Sequence, residues 1–585
     1  MSSDLPPHET SRMQPATSRT WQQRGILPEP AAVDALSREL GISSTLAKIL
    51  LMRDLHGAAA RQFLSGRLGD LPDPLLLPDM AVAAARLAEA VSNGETVVVH
   101  GDYDVDGMSG TALLVEGLRS CGARVDYHIP LRLKDGYGLS ATALREAAAA
   151  GASVVVSVDC GVSAVAEAAL AKELGLDLVI TDHHQPPPEL PSALAIVNPQ
   201  RSDSRFPDPH LAGVGVAFFL LAALRRQLRE AGWFDARREP DLRQALDLVA
   251  LGTIADLVPL QGINRILTRT GLALLEQAAR PGIRALKQVA VIREVNCGTV
   301  GFQLAPRLNA AGRLEDASRG VALLLETDPQ QALQTAQLLD RFNRERRELE
   351  QQTFEQALRL LEDLPAQRTH SIVLAQENWH PGVIGIVASR LVERFHRPTV
   401  LIALEQGAGK GSARSIRGCH LFRALQNCAE HLASFGGHAM AAGLSLCAAQ
   451  VDAFAAAFEA QARQSLDAED LVPQLRYDGE ISLAEIDLVL AREFEGLSPC
   501  GMGNPEPQMV IAAVQPRRVQ IVGERHVRFV GIQEGYSHPA IAFGMADRLN
   551  ELQGPVDLMA TPQVNQYNGR QTVQLRVKDW RPARM

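Results

Sequence analysis

Four short stretches of this chain carry side chains suited to holding metal ions. HGDYDVDG (100–107) sets His100, Asp104 and Asp106 within seven residues, VDCG reaches Asp159, and TDHH places Asp182, His183 and His184 side by side. A further acid, Asp256, closes the apolar stretch LDLVALGTIAD (246–256). Burying such a set is unfavourable unless a cation offsets the repulsion between carboxylates. Alternate residues of an extended loop point opposite ways, so Asp104 and Asp106 could face two different ions. Gly101 and Gly107 permit the turns that aim them. Carboxylates and imidazoles without a thiolate favour Mn²⁺ or Mg²⁺ over Zn²⁺. Two such ions ~3.5–4 Å apart lower the pKa of a water and stabilise both oxygens of a phosphoryl displacement.

The elements that must position these groups are legible around them. ETVVVHGD (95–102), ASVVVSVDCG (152–161) and LDLVITDHH (176–184) are short β-branched runs that end in polar residues, separated by Ala-rich helical segments at 141–150 and 162–174. Strand, helix and strand at this spacing predict a parallel sheet with crossover helices. Ligands of such sheets collect beyond the carboxyl ends of the strands, and each of these strands ends in Asp or His.

The rest of the chain divides by texture. Residues 1–20, rich in Ser, Pro, Thr and His, read as a disordered tail, and 30–95 as mostly helical. Residues 330–364 hold no Pro or Gly and are dense in helix formers and mixed charge. One helix of that length reaches roughly 50 Å and is expected to connect two lobes. Beyond it SIVLAQ (371–376), GVIGIVASRLVERF (382–395) and PTVLIALE (398–405) restart an α/β pattern. Short alternating strands at 517–523, 526–532, 540–545, 556–564 and 571–580 then predict a small β-barrel. Across 508–585 ten Lys/Arg face six Asp/Glu, a local basic surplus on an acidic whole.

Bulk properties exclude several classes. With 585 residues at ~150 per domain, three or four domains are expected. A net charge of −9, with 46% hydrophobic and 21% charged residues, excludes collagen-like, coiled-coil and wholly disordered chains. The longest near-continuous apolar run, Leu211 to Leu224, is short of the ~18 residues a membrane span needs. No secretory signal is expected from MSSDLPPHETSRMQPATSR, and seven cysteines without a CxxC pair fit neither a disulfide framework nor a structural zinc site. A reducing cytoplasm is the expected location. The absence of coiled-coil or repeat signals favours a monomer.

Further motifs suit anion binding. PRLNAAGR (306–313) carries Arg307, Asn309 and Arg313 among small residues, a composition suited to bidentate phosphate contact. GKGSARS (409–415) and GGHAMAAG (436–443) offer Ser412, Arg414 and His438 beside Gly436 and Gly437, with backbone N–H groups that could form an anion nest. GAGK fails as a nucleotide P-loop, since Gly411 follows Lys410 and Leu404 stands where the first Gly belongs. Trp379, next to His380, could stack on a base or pack beneath a helix, and Tyr103 could touch a terminal nucleotide. Arg517, Arg518, Arg525 and Arg528 could track a phosphate backbone or line a solvated barrel face.

HGDYDVDG, VDCG, TDHH and GTIAD, in that order, resemble the DHH phosphoesterase superfamily. With PRLNAAGR and GGHAMAAG downstream, the chain from about 60 to 585 is similar to the RecJ family of bacterial single-strand-specific 5′→3′ exonucleases. The resemblance implies two α/β lobes, a DHH-type parallel sheet and a DHH-associated domain, joined by a long helix and followed by an OB-like β-barrel. The implied division is a DHH catalytic domain with N-terminal helices over 21–335, a connecting helix over 336–366, a DHH-associated substrate-binding domain over 367–467 and the barrel over 468–585. It further implies one metal on His100, Asp104 and Asp159, and another on Asp106, Asp159, His183 and Asp256, with Asp159 bridging. His184 would meet the scissile phosphate, Asp182 would orient its neighbours, and the glycine-rich motifs would grip the 5′ end of a strand threaded between the lobes. Single-stranded DNA is the implied substrate, cut to 5′-mononucleotides in recombination and repair, with single-strand-binding protein and a RecQ-type helicase as implied partners. The competing expectations are a DHH hydrolase of short oligonucleotides or cyclic dinucleotides, a pyrophosphatase, and a non-catalytic DNA-binding scaffold. About 110 residues of barrel count against the small-substrate hydrolases, and the full ligand set counts against the scaffold.

Overall fold

A computed structural model describes residues 19–131, 138–314, 316–362, 369–567 and 569–583. Most of the expected tail and the last two residues of the expected 330–364 helix therefore lie outside the described residues. The chain forms two compact units, one from Gln23–Asp340 with Tyr477–Met585 and the other built on Arg341–Arg476. The division falls inside a single helix, Pro329–Glu362.

In the first unit a five-stranded parallel sheet runs in the order Arg124–His128, Thr96–Gly101, Ala152–Val158, Asp177–Thr181, Ala195–Val197. Val154, Val155, Val156 and Val158 are all buried, as expected of parallel strands covered on both faces. The outer strands were not foreseen: RVDYH is largely polar, and AIV is too short to show a pattern. The crossover helices span Ala141–Ala149 and Val165–Glu173. Helix Val105–Ser120 lies close to its neighbours because it is thin where they meet. A Cβ on Gly110 would stand 2.6 Å from Val158 Cγ2, and one on Gly117 2.4 Å from Leu221 Cδ1 of helix Gly213–Glu230.

The barrel of this unit is built from Met509–Val522, His526–Gln533, Tyr536–Ala542, Arg570–Pro582 and Val556–Tyr567, and closes by pairing the last with the first. This is the OB-like barrel that the alternating segments predict. Its interior, with Phe529 and Trp580, is continuous with Leu46, Ile49 and Leu50 of the N-terminal helix Ser44–Met52. Barrel and N-terminal helices thus share one hydrophobic core.

The second unit holds a mixed sheet in the order Ser434–Gly437, Ala441–Cys447, Ala408–Arg414, Thr399–Glu405, Ile372–Glu377. The GKGSARS stretch, expected as a glycine-rich nest, is a strand paired antiparallel on both sides. The sheet ladder takes its backbone N–H groups, so anion contact at this motif falls to side chains. Among the described residues no helix is long and apolar enough to cross a membrane.

Candidate metal centre

The loop after strand Thr96–Gly101 doubles back on itself at Gly107, where a Cβ would sit 2.6 Å from the Asp102 carbonyl oxygen. Asp104 caps helix Val105–Ser120, its Oδ1 accepting the N–H groups of Asp106 (2.9 Å) and Gly107 (3.1 Å). Asp106, in the first turn of that helix, accepts from Gly213 N–H (2.7 Å) and Val214 N–H (3.0 Å) at the start of helix Gly213–Glu230. Two helix N-termini therefore hold carboxylates here, a placement the helix dipole favours. Asp159 follows strand Ala152–Val158 in the left-handed region, at φ 64°, which lets the chain turn sharply into Cys160 and Gly161. Asp256 ends helix Leu246–Ala255, its N–H donating to the Gly252 carbonyl (2.9 Å).

These groups converge. His183 Nε2 lies 3.1 Å from Asp159 Oδ1, 3.5 Å from Asp256 Oδ2 and 3.9 Å from Asp106 Oδ2. Three sets of possible ligand atoms gather within 4.8 Å: Asp106, His183 and Asp256; Asp102, Asp104 and Asp159; and Asp159, His183 and His184. Asp104 and Asp106 thus belong to different sets, and Asp159 belongs to two of them. The Leu211 backbone is a hydrogen-bond partner of the His183 ring, while Nε2 has none and faces the carboxylates. Asp182 accepts from Val162 N–H (2.9 Å), His183 N–H (2.7 Å) and His184 N–H (3.1 Å), and bonds His184 Nδ1 at 2.7 Å. It fixes both imidazole residues from behind.

Electrostatics favour a cation. Burial, then the charge of Asp104, pushes Asp102 up to about 8 and Asp106 up to about 7. Burial and the charge of Asp106 push Asp256 up to about 9 and hold Asp159 well above the usual carboxylate range. Burial and the neighbouring His184 lower His183 to about 4, leaving a neutral ring with a lone pair to give. His184 goes the other way: burial opposes its charge, but the bond to Asp182 together with the charges of Asp182, Asp256 and Asp104 raises the ring to about 9. Glycines complete the cradle. A Cβ on Gly213 would lie 2.8 Å from Asp159 Oδ1, and one on Gly252 2.6 Å from Asp106 Oδ1. An oxygen-rich pocket with one neutral imidazole and mutually repelling acids fits Mn²⁺ or Mg²⁺.

His100 stands apart from these sets among the described residues. It is buried at its strand end, its ring centroid 5.1 Å from that of His128. Asp102, 2% exposed, stands beside Asp104 and Asp159 in one of the sets. The sequence reading passed over Asp102, although the two-residue spacing of acids in DYDVD was the available signal. Gly213 and Gly252 were missed as well, and only their contacts reveal them.

Helix Ala305–Leu314 carries Asn309 and Arg313, both half-buried, and seats Gly312 on the loop that carries Asp104 and Asp106, where a Cβ would lie 2.9 Å from the Tyr103 carbonyl oxygen. Arg307 is turned to other work: Nε donates to Asp340 Oδ1 (3.0 Å) and Nη1 to the Gln303 carbonyl (2.7 Å). On the barrel, Arg518, Arg528 and Arg570 line a groove of about 570 Å³ with Gln520, Asn565 and Thr572. Arg517 and Arg525 are exposed and do not line it.

In the second unit Arg414 Nη1 donates to Ser412 Oγ (3.1 Å), and Gly385 at the start of helix Ile384–Phe395 leaves room for both: its Cβ would lie 2.8 Å from Ser412 Oγ. Ala441 pairs with Arg414 across the sheet, and His438 N–H donates to the Ala441 carbonyl (2.8 Å). Gly436, Gly437 and His438, all exposed, therefore lie near the Arg414 end of this sheet. Trp379 is buried in the core of this unit, with Nε1 donating to Gln356 (2.7 Å), so the packing alternative holds and base stacking does not.

Comparison with known proteins agrees with this geometry. Residues 96–253 match the family model described as the DHH family N-terminal domain, 369–464 the DHHA1 domain and 477–579 the RecJ OB domain. The chain is 39% identical over 575 residues to a protein of Bacillus subtilis named single-stranded-DNA-specific exonuclease RecJ, covering 96% of this chain and 71% of that protein. It is 42% identical over 551 residues to the protein of that name from Dickeya dadantii, covering 90% and 95%. The crystal structure of Thermus thermophilus RecJ in complex with Mn²⁺ superposes with a TM-score of 0.82 at 32% identity, over 97% of this chain and 80% of that one. Taken with the cluster of acids and histidines, these similarities show that the chain belongs to the RecJ family.

Proposed function

We propose that this chain is a metal-dependent, single-strand-specific 5′→3′ exonuclease that hydrolyses single-stranded DNA to 5′-mononucleotides. The observation that carries the reading is the approach of His183 Nε2 to carboxylate oxygens of Asp106, Asp159 and Asp256, with Asp102 and Asp104 beside Asp159. On this reading Asp106, Asp159, His183 and Asp256 hold one divalent ion. Asp104 and Asp159 hold a second, with Asp102 and, on the resemblance, His100. When bound, Mn²⁺ or Mg²⁺ supplies a water of lowered pKa and offsets charge on the phosphate oxygens.

The protein's own groups do the rest. Asp182 holds His184 by Nδ1 and keeps it charged, so Nε2–H is the donor that meets the phosphate or protonates the departing 3′ oxygen. Asn309 and Arg313 hold the strand near the metals, and Arg307 contributes by fixing their helix through Asp340. Ser412, Arg414, Gly436, Gly437 and His438 take the 5′-terminal nucleotide. The barrel groove, between its first and last hairpins, suits the sugar–phosphate backbone: arginines supply charge and amides hydrogen bonds, without base readout.

By the same resemblance the enzyme acts in recombination and repair with single-strand-binding protein and a RecQ-type helicase; its cysteine usage fits the cytoplasm, and the lack of coiled-coil or repeat signals fits a monomer. Its domains fall at 21–335, 336–366, 367–467 and 468–585. The test is a 5′-labelled single strand with Mn²⁺: immediate release of labelled mononucleotide is expected. Asp159→Ala should abolish release while single-strand binding persists. Release of internal fragments, or near-wild-type turnover by Asp159→Ala, would overturn the reading.

A further inference from the structure

Asp256 is the last point of regular structure before an irregular stretch. Leu257 follows it in the left-handed region, at φ 61°, and the chain runs on to helix Gly262–Gln277. Past Leu257 the stretch Pro259–Gln261 is held by a segment distant in sequence, Leu497–Pro505, which leads into the barrel. Leu260 N–H donates to the Met502 carbonyl (2.8 Å), and Gln261 Nε2 donates to the Gly503 carbonyl (2.6 Å). The two backbones close because glycines stand at the contact: a Cβ would lie 2.8 Å from Leu260 Cδ1 at Gly501 and 2.9 Å from Pro259 Cβ at Gly503, itself at φ 69°.

The segment is itself held firmly. Asn504 Nδ2 donates to the carbonyls of Leu497 (2.8 Å) and Pro499 (2.7 Å), and Gly501 and Asn504 exchange backbone hydrogen bonds. Arg265, 2% exposed on the helix that follows the Asp256 loop, donates to the carbonyls of Leu497 (2.8 Å), Gly496 (3.0 Å) and Phe63 (2.8 Å). A guanidinium buried against carbonyls is a costly fastener. It ties the start of this helix to the same segment that grips the loop.

We infer that Leu497–Pro505 is a positioning strap for Asp256: by fixing residues 257–261 it aims the carboxylate, so metal affinity depends on a segment remote from the motifs that carry the ligands. Gln261 and Gly503 are then positioning residues, acting through Asp256. The inference rests on Asp256 being a metal ligand.

The test uses the full chain and Mn²⁺ alone, with free ion followed by electron paramagnetic resonance. Gln261→Ala removes one bond at an exposed position, and Gly503→Ala presses a methyl against Pro259. Loss of support behind a ligand lowers metal affinity by 10–100-fold as a rule. A weakening of ~10-fold is expected for each variant, with cleavage restored by raising Mn²⁺ and single-strand binding in metal-free buffer unchanged. Asp256→Ala is the reference and should weaken Mn²⁺ binding without such rescue. If both strap variants bind Mn²⁺ as the wild type does while Asp256→Ala does not, the strap inference fails and the ligand reading stands. If Asp256→Ala also binds Mn²⁺ normally, the ligand reading fails first. Should Gly503→Ala not fold, Gln261→Ala decides alone.

Discussion

A single methyl at Gly252 should impair the metal centre without replacing any of the proposed ligands. In Gly252→Ala the new Cβ would lie 2.6 Å from Asp106 Oδ1, 2.8 Å from Val214 Cγ1 and 3.2 Å from Asp106 Cα, where ordinary contact begins at about 3.5 Å. Neither neighbour can retreat, since Asp106 is 1% exposed and Val214 fully buried. The softest response is rotation of the Asp106 carboxylate, which gives up its 3.0 Å bond from Val214 N–H. A hydrogen bond to a charged group contributes about 1.5–3 kcal/mol, and ~1.4 kcal/mol is tenfold in a binding constant. Mn²⁺ affinity should therefore fall by about 10- to 100-fold. The assay is Mn²⁺ titration by calorimetry, beside Gly554→Ala, whose added Cβ would meet nothing within 4 Å. Wild-type Mn²⁺ affinity in a folded Gly252→Ala protein would refute the argument that Asp106 is held in place by this contact.

Three more outcomes follow from the same structure. Arg528→Ala and Arg570→Ala should each weaken single-strand binding and lower the slope of log K against log salt by about 0.7, as for one phosphate contact; an unchanged slope would remove the barrel groove from the DNA path. Trp379→Ala should destabilise the second unit by about 3–5 kcal/mol in denaturant melts, whereas a stacking role would raise KM and leave the melt alone. Chelation should lower the melting temperature of the first unit, because an ion at 100 times its Kd adds about 2.7 kcal/mol; identical melts with and without saturating Mn²⁺ would argue against a resident ion.

Much of the site is legible in the sequence because parallel strands advertise themselves. Runs such as SVVV are buried on both faces, and a polar residue ending each run has to face the ligand side of the sheet. That logic finds Asp159, Asp182, His183 and His184 without any structure. It fails where the cause is a contact rather than a pattern. In HGDYDVD, where His100, Asp102, Asp104 and Asp106 alternate, period alone does not rank Asp102 against His100. Gly213 and Gly252 look like helix glycines until the carboxylates beside them are seen. Arg307 reads as a phosphate ligand until Asp340, two helices later, is seen to accept from its Nε. Trp379 has the same composition around it whether it stacks or packs. The core shared by helix Ser44–Met52 and the barrel joins segments more than 400 residues apart, and no local pattern encodes that.

Asp159 shows why the pocket is better explained by chemistry than by folding. It continues a strand of buried valines, and an apolar residue there would extend the core at no electrostatic cost. Instead the position holds an acid 2% exposed, at φ 64°, with Asp106, Asp104 and Asp256 all raising its pKa. Left-handed backbone and a buried, repelled charge each disfavour the folded state, and two such departures at one residue are what a functional site leaves behind. They share a resolution. A short acidic side chain tolerates the left-handed turn, and the turn delivers its carboxylate to the point where two ligand sets meet. Divalent cations held at that point would convert the repulsion among the acids into attraction. No role confined to packing accounts for both the turn and the charge.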